Sequence, residues 1–339
     1  MGKSLIVEYN VDNQGDNNSK DNYSMRIHNS RPSKISDYIC DNSVIDNLNM
    51  FIHAAKSRND TLDHVLLDGP PGLGKTTLAH IIANEMKSHL HTTSSVILTR
   101  PGDLASILTN ISDGDVLFID EIHRLNSVVE EYLYTAMEDF KIDILLNSGS
   151  NARSVAIKLH KFTLIGATTQ PGLLTPPLLS RFGIRVNLNY YDVNNLSRIA
   201  KRTSKILNYN ITNEAAVELA KRSRGTPRIL NNLLRRLRDF AQVAGSDTIN
   251  LKIVQDGLST MKINENGLNE NDIKILDCIV RKFSGGPVGL SNISMVCNID
   301  ERTIQEMYEP YLVHEGYIRR AQRGRIASPM AYRTLGLTI

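Results

Sequence analysis

The first half of the chain alternates short, continuously apolar runs with segments of helical spacing. Residues 64–67, 116–119 and 162–167 form apolar runs that predict buried strands, and residues 78–86 and 127–137 have the spacing of helices. Strands that are apolar along their whole length and separated by helices are typical of a parallel sheet covered on both faces. The pattern therefore predicts an α/β core.

One segment interrupts this alternation. Residues 144–159 place apolar positions on both sides of the polar sequence NSGSN, and the apolar positions after it recur at every second residue. This pattern predicts a β-hairpin inserted into the core. Because a lone ribbon is marginal in water, its apolar side chains either pack onto the core or form a contact site for another protein. The pattern by itself favours neither interpretation.

The second half of the chain is mainly helical. Helical spacing at 196–207, 214–222 and 228–243, with a further helix near Leu251, predicts a small all-α domain. After a polar linker, helices at 272–283, 293–297 and 302–313 precede two short strands within 317–327. Three helices followed by a β-ribbon predict a winged helix-turn-helix. The predicted parts are a polar, mobile N-terminal tail at 1–30, an α/β domain at 31–190, a small helical domain at 191–262 and a winged-helix domain at 263–339.

Composition narrows the class of protein. A length of 339 residues exceeds one typical domain, and 41% hydrophobic with 22% charged residues excludes collagen-like, coiled-coil or wholly disordered chains. The formal net charge is only +3, so the placement of basic residues must decide whether nucleic acid is bound. Cys40, Cys278 and Cys297 are too far apart for a disulfide framework, and no apolar run approaches the ~20 residues of a membrane span. We expect a cytoplasmic protein without membrane association.

The strongest chemical signal is the sequence GPPGLGKTT at 69–77. It fits the pattern G-x-x-x-x-G-K-[ST] between a predicted strand and a predicted helix. Backbone N–H groups of such a loop, which contains Gly72 and Gly74, cradle phosphates at a helix N-terminus. Lys75 is expected to reach the β- and γ-phosphates, and the Thr76 hydroxyl is expected to ligate Mg²⁺. The sequence therefore predicts ATP and Mg²⁺ as cofactors.

A second element supports hydrolysis. Asp120 follows the apolar run at 116–119, where its carboxylate is placed to hold Mg²⁺ through water. Glu121, beside it, is placed to polarise an attacking water as general base. A kinase would not need this glutamate, because its acceptor is a bound hydroxyl. The Asp-Glu pair therefore favours an ATP hydrolase.

Three further residues each have two interpretations. Thr168, at the end of the third predicted strand, either contacts the γ-phosphate or the lytic water or caps the strand end. Arg181 is either solvated or an arginine finger that reaches the ATP of a neighbouring subunit. Arg228 opens a predicted helix, where a cation is unfavourable for the helix dipole, which suggests a phosphate as its partner. The pattern leaves these alternatives open.

The predicted wing is rich in arginine. Arg319, Arg320, Arg323 and Arg325 lie on the ribbon next to the helix-turn-helix. Such a cluster suits contacts with DNA phosphates, although a solvated hairpin is the alternative.

Together these motifs resemble the RuvB family of AAA+ ATPases, the ATP-driven motors of Holliday-junction branch migration in bacteria. The resemblance runs from about Arg31 to the C-terminus through strings that include GPPGLGKTTLA, DVLFIDEIHRL, FTLIGATT, LLSRFGI, RGTPRI, GGPVGL and RGRIA. Some are shared by many AAA+ proteins, but IDEIHRL, GGPVGL and RGR in combination distinguish this family. The resemblance implies an α/β P-loop core with a parallel sheet, a small all-α domain and a C-terminal winged helix. It implies ATP hydrolysis coupled to translocation of duplex DNA at four-way junctions, in recombination and repair.

The resemblance also assigns roles to individual residues. It places Ser30 and Arg31 near the base, Tyr191 on the adenine side, Arg181 as the arginine finger and Arg228 as a second sensor. The full set of implied ATP contacts is Ser30, Arg31, Gly72, Gly74, Lys75, Thr76, Thr77, Glu138, Asp139, Phe140, Arg181, Tyr191 and Arg228. The implied DNA contacts are Arg302, Arg320 and Arg325, to which the pattern adds Arg323.

Partners are implied in the same way. The family implies a homohexameric ring around duplex DNA that works with RuvA and the resolvase RuvC. In this family the equivalent hairpin docks RuvA, which assigns partner contacts to Leu145, Leu146, Val155 and Ile157. Two alternatives are a clamp-loader-like AAA+ subunit and a chaperone-like regulator with a protein-binding head. The chain departs from the family pattern at Ser30, Cys40-Asp41, Ser95-Val96 and Gln170.

Overall fold

The computed structural model describes residues 31–146 and 153–337. The predicted N-terminal tail with Ser30 and the tip of the predicted hairpin lie outside the described residues. Within the described part, the chain forms two compact units. The first runs to Ile199 and includes Thr226–Arg228, and the second comprises Ala200–Gly225 and the chain from Ile229 onward.

The first unit is built on a parallel sheet that has five strands among the described residues, in the order β2-β3-β6-β1-β7. Its strands are β1 (Val65–Asp68), β2 (Leu90–Ser94), β3 (Val116–Asp120), β6 (Thr163–Thr168) and β7 (Ile184–Asn187). Its helices are α1 (Asn42–Arg58), α2 (Lys75–Met86), α3 (Pro101–Thr109), α4 (Ser127–Asp139) and α5 (Pro176–Ser180), and α6 (Val193–Ile206) begins in it. The α/β class predicted from the apolar runs is confirmed.

The central strands are apolar along their length because both faces of the sheet are covered. On β3, Val116 and Phe118 enter one hydrophobic cluster, which also contains α2. Leu117 and Ile119 enter the other, which contains α3 and α4. The central strands β1, β3 and β6 therefore bury their apolar side chains on both faces, which produces the continuous apolar run.

The sequence pattern did not predict the edge strands β2 and β7. Strand β2 has the sequence LHTTS, and β7 alternates buried Ile184 and Val186 with exposed neighbours. An edge strand is covered less completely than a central one, so neither segment has the continuous apolar run that identified the others. Helix α3 also lies in a stretch for which no element was predicted.

The predicted hairpin is present. Strands β4 (Lys141–Leu146) and β5 (Arg153–Lys158) pair antiparallel, with Ile142 opposite Ile157 and Ile144 opposite Val155. Ile142 is buried and Ile157 packs partly against the core, whereas Val155 is exposed. The hairpin therefore begins three residues before the predicted start. The packing interpretation applies to Ile142 and Ile157, and the contact-site interpretation stays a prediction. The side chains of Leu145 and Leu146 lie outside the described part.

The second unit contains most of the small all-α part and the winged helix. The first predicted helix of the all-α part, 196–207, corresponds to α6 and starts in the first unit. The first group comprises α7 (Asn213–Lys221), α8 (Pro227–Val243) and α9 (Leu251–Thr260), with short strands β8 (Asn210–Ile211) and β9 (Thr248–Ile249) pairing in parallel. The second group comprises α10 (Glu270–Asp277), α11 (Leu290–Cys297), α12 (Glu301–Thr303), α13 (Glu309–His314) and α14 (Pro329–Thr334).

The winged-helix part has its own core. Helix α10 continues as a π-helical turn at Cys278–Lys282, and another π-helical turn at Ile304–Tyr308 joins α12 to α13. The wing consists of the antiparallel strands β10 (Ile318–Ala321) and β11 (Gly324–Ala327). A Cβ on Gly324 would lie 2.2 Å from the backbone oxygen of Val288, so only glycine fits where the wing meets the preceding loop. No described helix has both the length and the apolar character of a membrane span.

Candidate nucleotide-binding site and basic wing

The phosphate-binding loop connects β1 to the first turn of α2. Gly69, Gly72 and Gly74 all have positive φ, and a Cβ on Gly69 would lie 2.2 Å from Leu188 O. Lys75 begins α2 and its Nζ donates to the carbonyl oxygens of Gly69, at 2.6 Å, and Pro70, at 3.0 Å. The lysine amine therefore lies against the loop, and its predicted contact with the β- and γ-phosphates stays a prediction.

The environment of Lys75 suits an anion. The side chain is buried, and this burial lowers its pKa against the opposing charges of Glu121 and Asp120. A buried cation is costly unless negative charge compensates it, and phosphates supply that charge. The residues present therefore fit an ATP phosphate chain.

The predicted metal ligands also fit, but only together with a nucleotide. Asp120 ends β3, and Thr76 lies in the first turn of α2. Burial, followed by the neighbouring charge of Glu121, raises the pKa of Asp120, so a divalent cation would stabilise its ionised form. Among the described residues no group of three or more His, Cys, Asp or Glu side chains could hold a metal alone. At ATP sites Mg²⁺ commonly uses one or two protein ligands and completes its shell with phosphates and water.

The candidate general base Glu121 is held in an unusual conformation. Its φ is 50°, in the left-handed region that non-glycine residues rarely adopt. Ser95 Oγ donates to Glu121 O at 2.8 Å. Thr169 Oγ1 donates to Glu121 Oε2 at 3.1 Å, and His123 Nδ1 lies 3.3 Å from the same oxygen. Backbone strain of this kind concentrates at functional sites. The contacts of Thr169 and His123 with Oε2 fix the direction of the Glu121 carboxylate.

His123 and Thr169 were not predicted as parts of this site. Both lie within strings that carried the resemblance, IDEIHRL and IGATT, but neither had a chemical role assigned. Their placement depends on the ends of β3 and β6 lying side by side, which the sequence pattern alone does not give.

Thr168 is fully buried beside them. Its Oγ1 accepts from Gln170 N at 3.0 Å and lies 2.9 Å from His123 Nδ1, and its carbonyl accepts from Gly69 N at 3.3 Å. The strand-capping interpretation therefore describes one of its contacts. A role for Thr168 toward phosphate or water remains a prediction.

Two tyrosines lie on the other side of the loop. Tyr191 Oη is 3.1 Å from Leu73 O and 3.2 Å from Tyr38 Oη, and a Cβ on Gly74 would lie 3.0 Å from Tyr38 Oη. Burial raises the pKa of Tyr191 to about 12, so its hydroxyl stays protonated. Arg31 is exposed, and its charge contributes to lowering the pKa of His80 on α2, after burial of the imidazole.

A polar cavity of about 530 Å³ adjoins Tyr191. Cys40 and Asp41, which depart from the family pattern, line it together with Arg198 and several asparagines. Burial raises the pKa of the Cys40 thiol to about 12, so it remains uncharged. The departure therefore changes the polarity of this cavity without adding a reactive thiolate.

Arg228 lies at the phosphate-binding loop. Its backbone N–H donates to Gly72 O at 3.3 Å, and a Cβ on Gly72 would lie 3.0 Å from Arg228 Cβ. Its charge also contributes to lowering the pKa of Lys75. The structure thus brings this predicted sensor arginine to the loop.

Arg181 belongs to a different group of residues. Its Nη2 donates to Glu138 Oε2 at 2.9 Å and its Nη1 donates to Pro177 O at 2.7 Å, while the guanidinium lies 4.5 Å above the centre of the Tyr134 ring. Phe140 packs against the rings of Phe162 and His64. Glu138 lies on α4, Arg181 directly follows α5, and Phe140 packs with the core that covers the sheet face opposite α2.

Of the implied ATP contacts, Glu138 is hydrogen-bonded to Arg181, Asp139 pairs with Lys141 at 3.0 Å, and Phe140 packs against the core on this face of the sheet. Their roles as ATP contacts, and the role of Arg181 as an arginine finger, remain predictions.

The basic wing is organised by a buried carboxylate. Glu309, at the start of α13, is 1% exposed. Arg320 Nε donates to its Oε1 at 2.6 Å, and Arg325 Nη2 donates to its Oε2 at 2.9 Å. Burial opposes ionisation of Glu309, but these hydrogen bonds outweigh it and lower its pKa. The predicted DNA-contacting arginines therefore have unequal surroundings, since the side chain of Arg325 is 17% exposed and that of Arg320 57%.

The other basic residues of this part lie further out. Arg319 and Arg323 are exposed on the wing. Arg302 Nε donates to Glu306 Oε1 at 2.8 Å, with both side chains exposed. Arg319, Arg320 and Arg323 are thus the exposed wing arginines, and Glu309 was not foreseen as the residue that anchors Arg320 and Arg325.

The sheet carries a P-loop, a strand followed by an Asp-Glu pair, and an arginine hydrogen-bonded to the loop. With the helical part and the winged helix that follow, these features define a P-loop ATPase of the AAA+ class. Three family descriptions match successive parts of the chain. They are the Holliday junction DNA helicase RuvB P-loop domain over residues 30–188, the RuvB AAA lid domain over 191–264 and the RuvB C-terminal winged helix domain over 265–336. The chain belongs to the RuvB family.

Individual RuvB proteins are similar to this chain over most of its length. The Holliday junction branch migration complex subunit RuvB of Flavobacterium psychrophilum is 53% identical over 306 residues, 90% of each chain. That of Chlorobaculum tepidum is 55% identical over 301 residues, 89% of this chain and 88% of the relative. The solved structure of the Thermotoga maritima RuvB Holliday junction branch migration motor has a TM-score of 0.82 and 46% identity, covering 91% of this chain and 99% of that one.

Solved variants of the T. maritima protein carry single substitutions at a lysine, an alanine, a threonine, an arginine and a proline. The intervals between those positions equal the intervals between Lys75, Ala167, Thr169, Arg181 and Pro227 in this chain. The threonine of the series thus falls on Thr169, which contacts Glu121, and not on Thr168.

Proposed function

We propose that this chain is the motor subunit that uses ATP hydrolysis to translocate duplex DNA and drive branch migration at Holliday junctions, as a homohexameric ring with RuvA. The observation that carries the proposal is the presence in one chain of a phosphate-binding loop with a positioned Glu121 and of a wing whose arginines are set by a buried carboxylate. A clamp-loader-like subunit needs the first of these features and not the second.

Different residues of the ATP site bind the phosphates, hold the metal ion and activate the attacking water. The loop amides and Lys75 bind the phosphate chain, with Thr77 in the first turn of α2 beside Thr76. Thr76 and Asp120 would hold Mg²⁺, which neutralises phosphate charge when it is bound. Glu121, oriented by Thr169, takes the proton of the attacking water.

Stabilisation of the transition state falls to a neighbouring subunit. Arg181, with Glu138 beside it, would face the ATP of the next subunit in the ring. A guanidinium supplied in this way offsets the charge that develops on the transferred phosphoryl group. An isolated subunit would therefore bind ATP but turn it over slowly, which couples hydrolysis to ring assembly.

The DNA and partner contacts lie elsewhere in the chain. Arg319, Arg320 and Arg323 would contact phosphates of the duplex, which position the wing without reading sequence. The hairpin β4–β5 would dock RuvA through its apolar residues, including exposed Val155. The resolvase RuvC would act on the same junction, in the cytoplasm.

The experiment is ATP-driven migration of a synthetic four-way junction, with and without RuvA. We expect strand exchange that requires ATP and increases with RuvA, together with ATP turnover stimulated by duplex DNA. Glu121→Gln is the matched control, since it should bind ATP without supporting migration. ATP turnover that is indifferent to duplex DNA would contradict the proposal and favour a clamp-loader-like or chaperone-like role.

A further inference from the structure

Arg224 joins the lid, residues 191–264, to the winged-helix head, residues 265–336. It lies between α7 and α8 with a φ of 53°, in the left-handed region. Its Nε donates to Gly267 O at 2.7 Å, and its guanidinium forms an ion pair with Asp272 on α10. A lid side chain thus binds both the start of the head and its first helix.

The same guanidinium reaches a third point of the head. Its Cζ lies 4.7 Å above the centre of the Tyr311 ring on α13, a cation–π contact. Helix α13 also carries Glu309, which holds the wing arginines Arg320 and Arg325. Arg224 therefore contacts the head at Gly267, at its first helix and at the helix that supports the wing. Three separate contacts are enough to fix the orientation of the head relative to the lid.

Burial distinguishes this ion pair from an exposed one nearby, because breaking a buried pair leaves a desolvated charge. The side chain of Arg224 is 10% exposed and that of Asp272 is fully buried. Burial raises the pKa of Asp272 and the charge of Arg224 opposes that shift, so loss of the arginine would leave a costly buried carboxyl. By contrast, Lys262 and Glu270 form an ion pair between side chains that are both 67% exposed, which contributes little.

Arg224 is close in sequence to Arg228, which contacts the phosphate-binding loop. It precedes Arg228 by four residues, and the Arg228 N–H donates to Gly72 O in the phosphate-binding loop. The connecting residues include Pro227, whose fixed φ restricts the peptide. The loop that meets the nucleotide site is therefore continuous with the residue that holds the head.

We infer that Arg224 is a positioning residue that fixes the winged-helix head to the lid, so that the head follows the lid when the loop at Arg228 responds to nucleotide. The consequence for DNA movement rests on the proposed function. The fixed orientation itself does not, because it is a property of the isolated chain.

The first test measures that orientation directly. Nitroxide labels at Val243→Cys on the lid and Met295→Cys on the head occupy side chains that are 90% and 81% exposed, while the native cysteines are buried. Electron–electron distance measurements should give one narrow distribution in the parent chain and a broad one with Arg224→Met. Arg222→Met is the matched control, because the ion pair of Arg222 with Glu218 lies within the lid. An equally narrow distribution with Arg224→Met would overturn the inference.

The second test measures coupling in the assembled motor. Base pairs migrated per ATP hydrolysed should fall about 2- to 30-fold with Arg224→Met, the range of coupling that single residues carry. Basal ATP turnover, duplex affinity and the Arg222→Met control should stay unchanged, and Arg224→Lys should restore part of the loss. If wild-type protein drives no migration, the proposed function fails while the distance measurement still decides the inference.

If Arg224→Met folds poorly, the same distance is measured in the double variant Arg224→Met with Asp272→Asn, because that variant leaves no unpaired buried charge. It should fold and show the same broad distance distribution. A double variant that keeps the narrow distribution, or one that cannot fold, would assign the pair to stability alone and refute the inference.

Discussion

Arg181 donates a hydrogen bond to Glu138 across 2.9 Å, and Glu138 lies on α4, which covers the sheet face opposite α2. In the proposed ring this arginine would act on the ATP of the next subunit. This arrangement makes a specific prediction for mixed rings.

Arg181→Ala should bind ATP with nearly wild-type affinity and lose about 10³–10⁵-fold in turnover, because the charge is missing only in the transition state. Rings that mix Arg181→Ala with Lys75→Ala subunits should recover activity, since some interfaces then pair an intact loop with an intact finger. Turnover is followed against mixing ratio. Activity that stays absent at every ratio would place Arg181 outside a shared site.

Three variants should separate binding from chemistry at Glu121. Lys75→Ala should abolish ATP binding, because the cation that faces the phosphates is lost. Glu121→Gln should keep binding and stop hydrolysis. Thr169→Val should also keep binding and lower kcat, because Glu121 Oε2 loses its hydroxyl donor. Nucleotide titration measures binding, and steady-state turnover measures hydrolysis. Equal losses of both properties in all three variants would contradict the assignment.

The wing arginines should differ in what they stabilise. Arg325→Ala leaves the buried Glu309 with one partner fewer, so we expect it to destabilise the head by about 1–3 kcal/mol. Arg323→Ala should leave the free energy of unfolding unchanged and lower the salt slope of duplex binding by about one. Chemical denaturation and salt-dependent binding distinguish the two. Identical behaviour of both variants would show that Glu309 does not divide the wing in this way.

Glu309 should also make head stability depend on pH. Its folded-state pKa lies below the ordinary value of 4.5, so its contribution is complete above that value and is lost as pH falls through the folded pKa. Unfolding free energy should therefore decline more steeply below about pH 4.5 in wild type than in Glu309→Gln. Denaturation at a series of acidic pH values checks this, and parallel curves would rule it out.

The hairpin offers a pair of adjacent positions for a test of partner binding. Val155→Asp should keep basal ATP turnover and lose stimulation by RuvA, because it places a charge on an exposed apolar side chain. Ala156→Asp is the control, since successive strand residues point to opposite faces. Titration with RuvA measures the affinity of each. Wild-type affinity with Val155→Asp would move the docking surface elsewhere.

The sequence predicted the central strands and the phosphate-binding loop because both depend on local pattern. Strand β3 is apolar on both faces, and the loop carries its chemistry in adjacent residues. The edge strand β2 was missed because its partial exposure allows polar residues. Contacts such as Thr169 with Glu121 and Arg325 with Glu309 join residues distant in sequence, so they follow only from the folded arrangement.

Thr226–Arg228 belong to the first compact unit although the residues on either side belong to the second. The boundary between the units is therefore crossed repeatedly by the chain. A fragment that stopped at Ile199 would retain Lys75 and Glu121 but would lack Arg228 at Gly72. Recombination that exchanged only the second unit between related ATPases would therefore need crossover points on both sides of this tripeptide. Thr226–Arg228 would then be inherited together with the first unit.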